Sequence, residues 1–212
     1  MKILKKVLAV SLVVVMLLAF ASCGKSDLQQ FSEKVSGDNA NYKMTIKMNY
    51  GSMIMEIPAE VNGNVIHMQM EMFGEKMDIY EEQVEGGFWT YSQQEEGKWV
   101  KMFASADDAD AASESEMPVD LNNIKEEDFE LKDGKYVLKA DKMKDYSEGL
   151  EISAFSIEIE KNAAKAVIEM TVSGEEVGGS MSYTITVYDF GKVEKITLPE
   201  AEEYKIEDEF DF

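Results

Sequence analysis

Arginine is absent from this chain of 212 residues, whose 21 basic side chains are all lysines. Arginine is the preferred bidentate partner of carboxylates and phosphates, so its absence weakens the case for an anionic ligand. Acidic side chains number 42, and the formal net charge is −21. That sign is unfavourable for nucleic acid, whose binding depends on neutralising phosphates, and for adsorption on anionic lipid. We therefore expect no nucleic-acid partner.

Histidine and cysteine each occur once, as His67 and Cys23. A single histidine cannot build a histidine-based zinc site, and Cys23 has no disulfide partner within the chain. Neither a Gly-x-Ser-x-Gly sequence nor a glycine-rich phosphate loop occurs. Asp108 and Asp110 have the spacing of the first EF-hand ligands, but Ala112 stands at the third position. We expect no enzyme, no bound metal and no cofactor.

The first 22 residues have the composition of an export signal. Three lysines among the first six residues precede an almost wholly apolar run over residues 7–20, and Ala21 and Ser22 then stand before Cys23. The apolar run is shorter than the roughly 20 residues that span a bilayer. We predict a signal peptide over residues 1–22 and a tether over residues 23–26. Loss of the three lysines with the signal would take the formal charge from −21 to −24.

Cys23 directly follows small residues, and this arrangement resembles the lipobox of bacterial lipoproteins. The resemblance implies that Cys23 becomes the N-terminal residue and carries acyl chains such as palmitate, which anchor the protein outside the cell membrane. Phe20 departs from the pattern, which prefers leucine three residues before the cysteine.

A short helix is predicted after the tether. Ser26 can cap it, Gln29 stands where a capping box needs it, and Gly37 can end it. From Tyr42 onward apolar and polar residues alternate, which is typical of half-buried antiparallel strands. About six such strands are predicted in the first half, with turns at Gly51-Ser52, Asn62-Gly63, Gly74, Gly86-Gly87 and Gly97.

The second half returns to strands after an acidic loop over residues 104–118. Beyond a possible helical turn at 119–125, Phe129 and Leu131 begin a strand, and Asp141 caps a short helix. Four further strands are centred near Ile157, Ile168, Ile185 and Ile196. The predicted domain covers residues 27–199, and residues 200–212 form an acidic tail that is expected to hang loose.

Methionine is frequent, with 15 in the chain. Strands usually prefer β-branched residues, whereas methionine is flexible and suits surfaces that fit varied apolar partners. The alternation therefore allows two interpretations, an adaptable apolar cavity or an ordinary core rich in methionine. The predicted cavity lining is Met44, Ile46, Met48, Met53, Met55, Met68, Met70, Met72, Met77, Ile79, Trp89 and Tyr91.

The predicted fold is mainly β, with about ten to eleven antiparallel strands in one curved sheet and two or three short helices on its concave side. Two or three short helices are too few to cover such a sheet, so it is expected to curl and to leave a groove on its concave side.

This layout resembles the LolA-like superfamily, which includes lipoprotein carriers and lipid-binding lipoproteins of the LppX and LprG kind. Local sequences at residues 68–72, 77–80, 98–101 and 196–200 resemble clostridial-type lipoproteins of that superfamily. The resemblance implies a half-open barrel whose concave side accepts acyl chains, without catalytic residues.

Two functions follow as hypotheses. The first is an extracytoplasmic lipoprotein, anchored through Cys23, that binds a lipid or another apolar ligand in a methionine-lined cavity. The second is an anchored interaction module that contacts a protein of the cell envelope and has a filled core and no small ligand.

Overall fold

A computed structural model describes residues 25–72, 74–95, 97–105, 124–146, 151–174 and 179–204. The predicted signal, most of the predicted acidic loop and the end of the tail lie outside these residues. The described chain is mainly β, as predicted, with one twelve-stranded sheet.

Within the described ranges, one α-helix and three 3₁₀ helices accompany the strands. The helix α1 spans Asp27–Val35, and the 3₁₀ helices span Glu126–Asp128, Met143–Tyr146 and Lys161–Ala163. The strands are β1 (Asn41–Tyr50), β2 (Met53–Asn62), β3 (Val65–Met72), β4 (Glu75–Val84), β5 (Gly87–Glu95), β6 (Lys98–Ser105), β7 (Phe129–Lys132), β8 (Lys135–Leu138), β9 (Glu151–Ile159), β10 (Ala166–Gly174), β11 (Gly179–Tyr188) and β12 (Ala201–Glu203).

The strand order across the sheet is β12-β6-β5-β4-β3-β2-β1-β11-β10-β9-β8-β7. All neighbours are antiparallel except β12, which runs parallel to β6. The sheet therefore has two edges, at β7 and β12, and is not closed. The sheet has twelve strands where about ten to eleven were predicted, and the described residues contain one α-helix where two or three short helices were predicted.

The predicted N-terminal helix is confirmed. The Ser26 side chain accepts a hydrogen bond from the backbone N–H of Gln29 at 3.1 Å and so caps α1. Leu28, Phe31 and Val35 recur on one face of the helix and are buried. This face holds α1 against the sheet.

The hydrophobic core lies between α1 and the middle of the sheet. It contains the inward residues of β1, the second half of β2, and strands β9 to β11. Lys34 in the last turn of α1 donates hydrogen bonds to the carbonyls of Asn162 and Ala163, at 2.8 and 2.9 Å. These contacts fix the C-terminal end of α1 over the connection between β9 and β10.

The structure corrects three local predictions. Ile196 lies in no strand, the helix expected from Asp141 is a single 3₁₀ turn at Met143–Tyr146, and Ala201–Glu203 of the predicted loose tail forms β12. Side-chain hydrogen bonds, and not pairing with a neighbouring strand, hold the segment around Val193 between β11 and β12. Asn41 and Asn62 both donate to the carbonyl of Val193, at 2.9 and 3.1 Å. Alternation near Ile196 reflected an extended connection from β11 to the far edge of the sheet.

Candidate functional site

The sheet has an inner face, on which α1 packs, and an outer face. A helix of nine residues is about 13 Å long, and neighbouring strands lie about 4.8 Å apart, so α1 covers only a few strands. Among the described residues of β3 to β6, only Gly87 and Tyr91 are buried. The inner face is therefore closed under α1 and partly open toward β3 to β6.

Five half-buried methionines lie where the covered part of the inner face meets the open part. All pack against the core, and the register pairs Met48 with Met55. We call the set Met48, Met55, Met68, Met70 and Met181 the methionine patch. Flexible, polarisable side chains that are only partly covered can adapt to an apolar ligand of variable shape.

Tyr183 adds a polar group beside the methionine patch. It pairs in register with Met48 on one side and with Met170 on the other, so its ring lies on the inner face. Burial raises the pKa of the Tyr183 hydroxyl, which therefore stays protonated at neutral pH. A few polar groups in a mainly apolar lining are typical of small-molecule sites.

The predicted lining residues of β1 and β2 divide into three groups by depth. Met44 is fully buried and Ile46 is buried, both in the core. Met48 and Met55 belong to the methionine patch, and Met53 lies exposed at the tip of the β1–β2 hairpin.

The predicted lining residues of β3 and β4 also differ in how deeply they are buried. Met68 and Met70 belong to the methionine patch, Ile79 is half-buried opposite Met68, and Met77 is exposed. Met72 lies in β3 opposite Glu75, but its side chain lies outside what the structure describes.

Trp89 and Tyr91 lie on the outer face, so they do not line a cavity with the methionines. Tyr80 pairs with both His67 and Tyr91, whereas Ile79 pairs with Met68 and Ser92. The inward residues of β5 are therefore Phe88, Thr90 and Ser92. Hydrophobicity alone pointed to the wrong face, because β5 is more apolar on its outer side.

The β2–β3 ladder ends early, and this ending opens the sheet beside the methionine patch. Pairing stops at Ala59 and Met68, although the β1–β2 and β3–β4 ladders continue to their turns. The β2–β3 hairpin has a two-residue turn closed by Asn62 and Val65, so alternate pairs from that one exchange two hydrogen bonds. Beyond the end of the ladder, the next such pair would be Pro58 with Gln69. Proline has no N–H to donate, so the ladder cannot continue.

The end of the β3–β4 hairpin nearest its turn is consequently not paired with β2. The β4–β5 ladder also ends, at Ile79 and Ser92. We call residues 69–78, without the undescribed residue 73, the β3–β4 arm. Met70 and Met77 of this arm pair in register and lie on the inner face.

On the outer face, His67 and Asp78 form a bonded pair. Asp78 Oδ1 lies 2.8 Å from His67 Nε2 and accepts a hydrogen bond from Gln69 Nε2 at 2.9 Å. Partial burial alone would raise the pKa of Asp78, but the hydrogen bonds from Gln69 and His67 outweigh it and lower that pKa. His67 also stacks on Tyr80, with ring centroids 4.4 Å apart. The prediction that His67 lies on the polar face is confirmed.

Two surface depressions lie away from the methionine patch. One, of about 350 Å³, lies beside α1 and Ile124, and the other, of about 260 Å³, lies between Lys125 and Tyr146. The second contains the buried Asp128, whose carboxylate accepts a hydrogen bond from the Tyr146 hydroxyl at 3.1 Å. No residue of the predicted cavity lines either depression.

Within the described ranges, no group of three or more histidine, cysteine, aspartate or glutamate side chains is arranged to hold a metal ion. Among these same residues, no helix has the length and apolar character needed to cross a membrane.

Comparisons with known proteins assign no family to the chain. No family model matches it, and no curated protein matches it. Among solved structures, the one described as "Structure of PNGF-II in C2 space group" is similar over 78% of this chain, with a TM-score of 0.35 and 9% identity. The chain spans 31% of the length of that protein.

Proposed function

We propose that this protein is a lipoprotein anchored through Cys23 outside the cell membrane, and that it binds a lipid or another apolar ligand without catalysing a reaction. The proposal includes a half-open barrel of the LolA-like kind, with the ligand on its concave side. The observation that carries it is the methionine patch, which is half-buried at the border of the core.

The ligand-binding surface of this proposal is smaller than the cavity predicted from sequence. Met44 and Ile46 are part of the packed core, so a ligand meets Met48, Met55 and Met70 instead. The opening between β2 and β3 supplies a route for an acyl chain to this surface. Tyr183 can donate a hydrogen bond to a polar end of the ligand.

The test uses the mature chain, residues 23–212, with Cys23→Ser, and measures bound lipid by native mass spectrometry and uptake of a fluorescent fatty acid. We expect Met70→Lys to weaken uptake about tenfold or more, because a charge would have to be buried against the ligand. Glu71→Lys is the matched control, since Glu71 is the exposed neighbour on the other face. Met70→Leu should preserve uptake.

Two results would contradict the proposal. One is a mature chain that carries no lipid and takes up no fatty acid. The other is equal uptake by Met70→Lys and Glu71→Lys, with both variants folded by circular dichroism.

The second candidate is the anchored interaction module with a filled core. The complete burial of Met44 and the burial of Ile46 favour it, because these predicted cavity residues have no room for a ligand. Its partner would bind the acidic surface, and that binding would weaken with salt. Absence of lipid, together with a salt-sensitive complex with an envelope protein, would favour this candidate over the first.

A further inference from the structure

Exposed apolar side chains are concentrated at the tips of two neighbouring hairpins. Among the described residues, eight large apolar side chains are exposed, and four of them lie at the ends of the β1–β2 and β3–β4 hairpins. Tyr50 is 40% exposed, Met53 61%, Ile54 65% and Met77 37%. We call these four residues the tip patch. Both hairpins turn at the same end of the sheet, beside the opening between β2 and β3.

The apolar character of the β2 tip extends to both faces of the strand. Met53 pairs with Tyr50 on the inner face, and Ile54 lies on the outer face. Further along β2 the outer face carries Glu56 and Glu60, as a face in contact with water should. Packing against a core explains apolar residues on one face of a strand. It does not explain exposed apolar residues on both faces, as at Met53 and Ile54. A tip surrounded by an apolar medium explains both.

The charge of the chain selects the kind of medium. A formal charge of −21 disfavours anionic lipid, and the exposed Lys47 and Lys76 near the tips are offset by the exposed Glu56 and Glu75. Attachment at this end therefore depends on apolar burial and not on basic residues. The occupant that fits is a neutral, zwitterionic lipid surface.

We propose that the tip patch inserts into the membrane surface and turns the opening between β2 and β3 toward the lipid. A ligand could then pass from the membrane to the methionine patch without crossing water. The direction of this transfer rests on the proposed function, but insertion of the tips does not. Tyrosine is well suited to the interface, and methionine and isoleucine to the acyl region below it.

The test uses the mature chain, residues 23–212, with Cys23→Ser, so that an introduced cysteine is the only one. An environment-sensitive fluorophore is attached at Ile54→Cys or at Met77→Cys. The control is Glu85→Cys, at the exposed β4–β5 turn on the opposite end of the sheet. With phosphatidylcholine vesicles, both tip labels should shift to the blue and become protected from iodide, and the control label should not change.

Vesicle sedimentation gives a second readout. Met53→Ser combined with Ile54→Ser should weaken partitioning into phosphatidylcholine vesicles about tenfold or more, because two apolar side chains leave the lipid. Thermal unfolding should be unchanged, since both residues are exposed in the folded protein. Partitioning should also be insensitive to salt.

The inference is overturned if the tip labels do not respond, if the Glu85 label responds equally, or if the tip residues are instead buried in a dimer seen without lipid. Loss of tip insertion with fatty-acid uptake intact would refute this inference alone. Tip insertion without any uptake would refute the proposed function and leave the inference standing.

Discussion

At the scale of residues, alternation in the sequence identified the inner faces of β1 to β3 but not the depth of each side chain. Met44 and Met53 both lie on the inner face, yet Met44 is fully buried and Met53 is exposed. The difference arises because α1 covers one end of β1 and β2 and does not reach the hairpin tip. In β1 and β2, hydrophobicity therefore predicted the side of the sheet on which a residue lies, but not whether it is buried or exposed.

Tyr146 provides a test of buried polar bonding at this scale. Its hydroxyl donates to the buried Asp128 and accepts from the backbone N–H of Lys125, both at 3.1 Å. We expect Tyr146→Phe to lower the free energy of unfolding by about 1–3 kcal/mol at neutral pH, because Asp128 loses a donor. Urea unfolding measures this change, and a loss below about 0.5 kcal/mol would contradict the assigned bond.

The difference in unfolding free energy between the wild-type protein and Tyr146→Phe should depend on pH in alkaline solution. Burial is the largest cause that raises the pKa of Tyr146, to about 12. The hydrogen bond from the Lys125 backbone opposes this shift, and the hydrogen bond to Asp128 adds to it. The unfolded chain loses this proton near pH 10, so the contribution of Tyr146 to stability falls as pH rises from about 10 toward 12. The stability gap between wild type and Tyr146→Phe should therefore narrow above pH 10, and a constant gap would contradict the assignment.

At the scale of elements, the main feature is the division of the sheet into hairpins at one end. The strands and the two-residue turns were predictable from alternation and glycine positions. The division depended on where Pro58 lies in the register, since proline interrupts a ladder only when its missing N–H faces the partner strand. That fact requires knowledge of which strands pair.

Pro58→Val should restore the missing donor toward β3. We expect amide exchange in the β3–β4 arm to slow, particularly at Glu71, because the β2–β3 ladder can extend. The amide of Met48 serves as an internal control, since the β1–β2 ladder is already complete there. Unchanged exchange at Glu71 would show that something other than Pro58 separates the strands.

At the scale of the whole molecule, charge and attachment act together. A strongly acidic domain is repelled by anionic membranes, so a covalent anchor would be needed to keep it near one. The described residues begin at Lys25, two positions after Cys23, and Lys25 pairs with Glu33 of α1 at 2.6 Å. An anchor at Cys23 would thus leave little free chain between lipid and fold.

Anchoring itself is tested by metabolic labelling with an alkyne fatty acid in a bacterial host. We expect the wild-type protein to incorporate the label and to sediment with membranes. Cys23→Ser should abolish the label, because the acylated sulfur is gone. Incorporation into Cys23→Ser, or none into the wild type, would contradict the lipobox interpretation.

The sequence by itself determined the β-rich class, the capped N-terminal helix, the turn positions and the acidic charge. These follow from local periodicity, capping and composition, which act over a few residues. Only the tertiary structure decided that Trp89 and Tyr91 face away from the methionines, that Ala201–Glu203 forms one edge of the sheet, and which methionines are buried. These depend on strand register and on how far α1 reaches, and both are set by contacts between residues far apart in the chain.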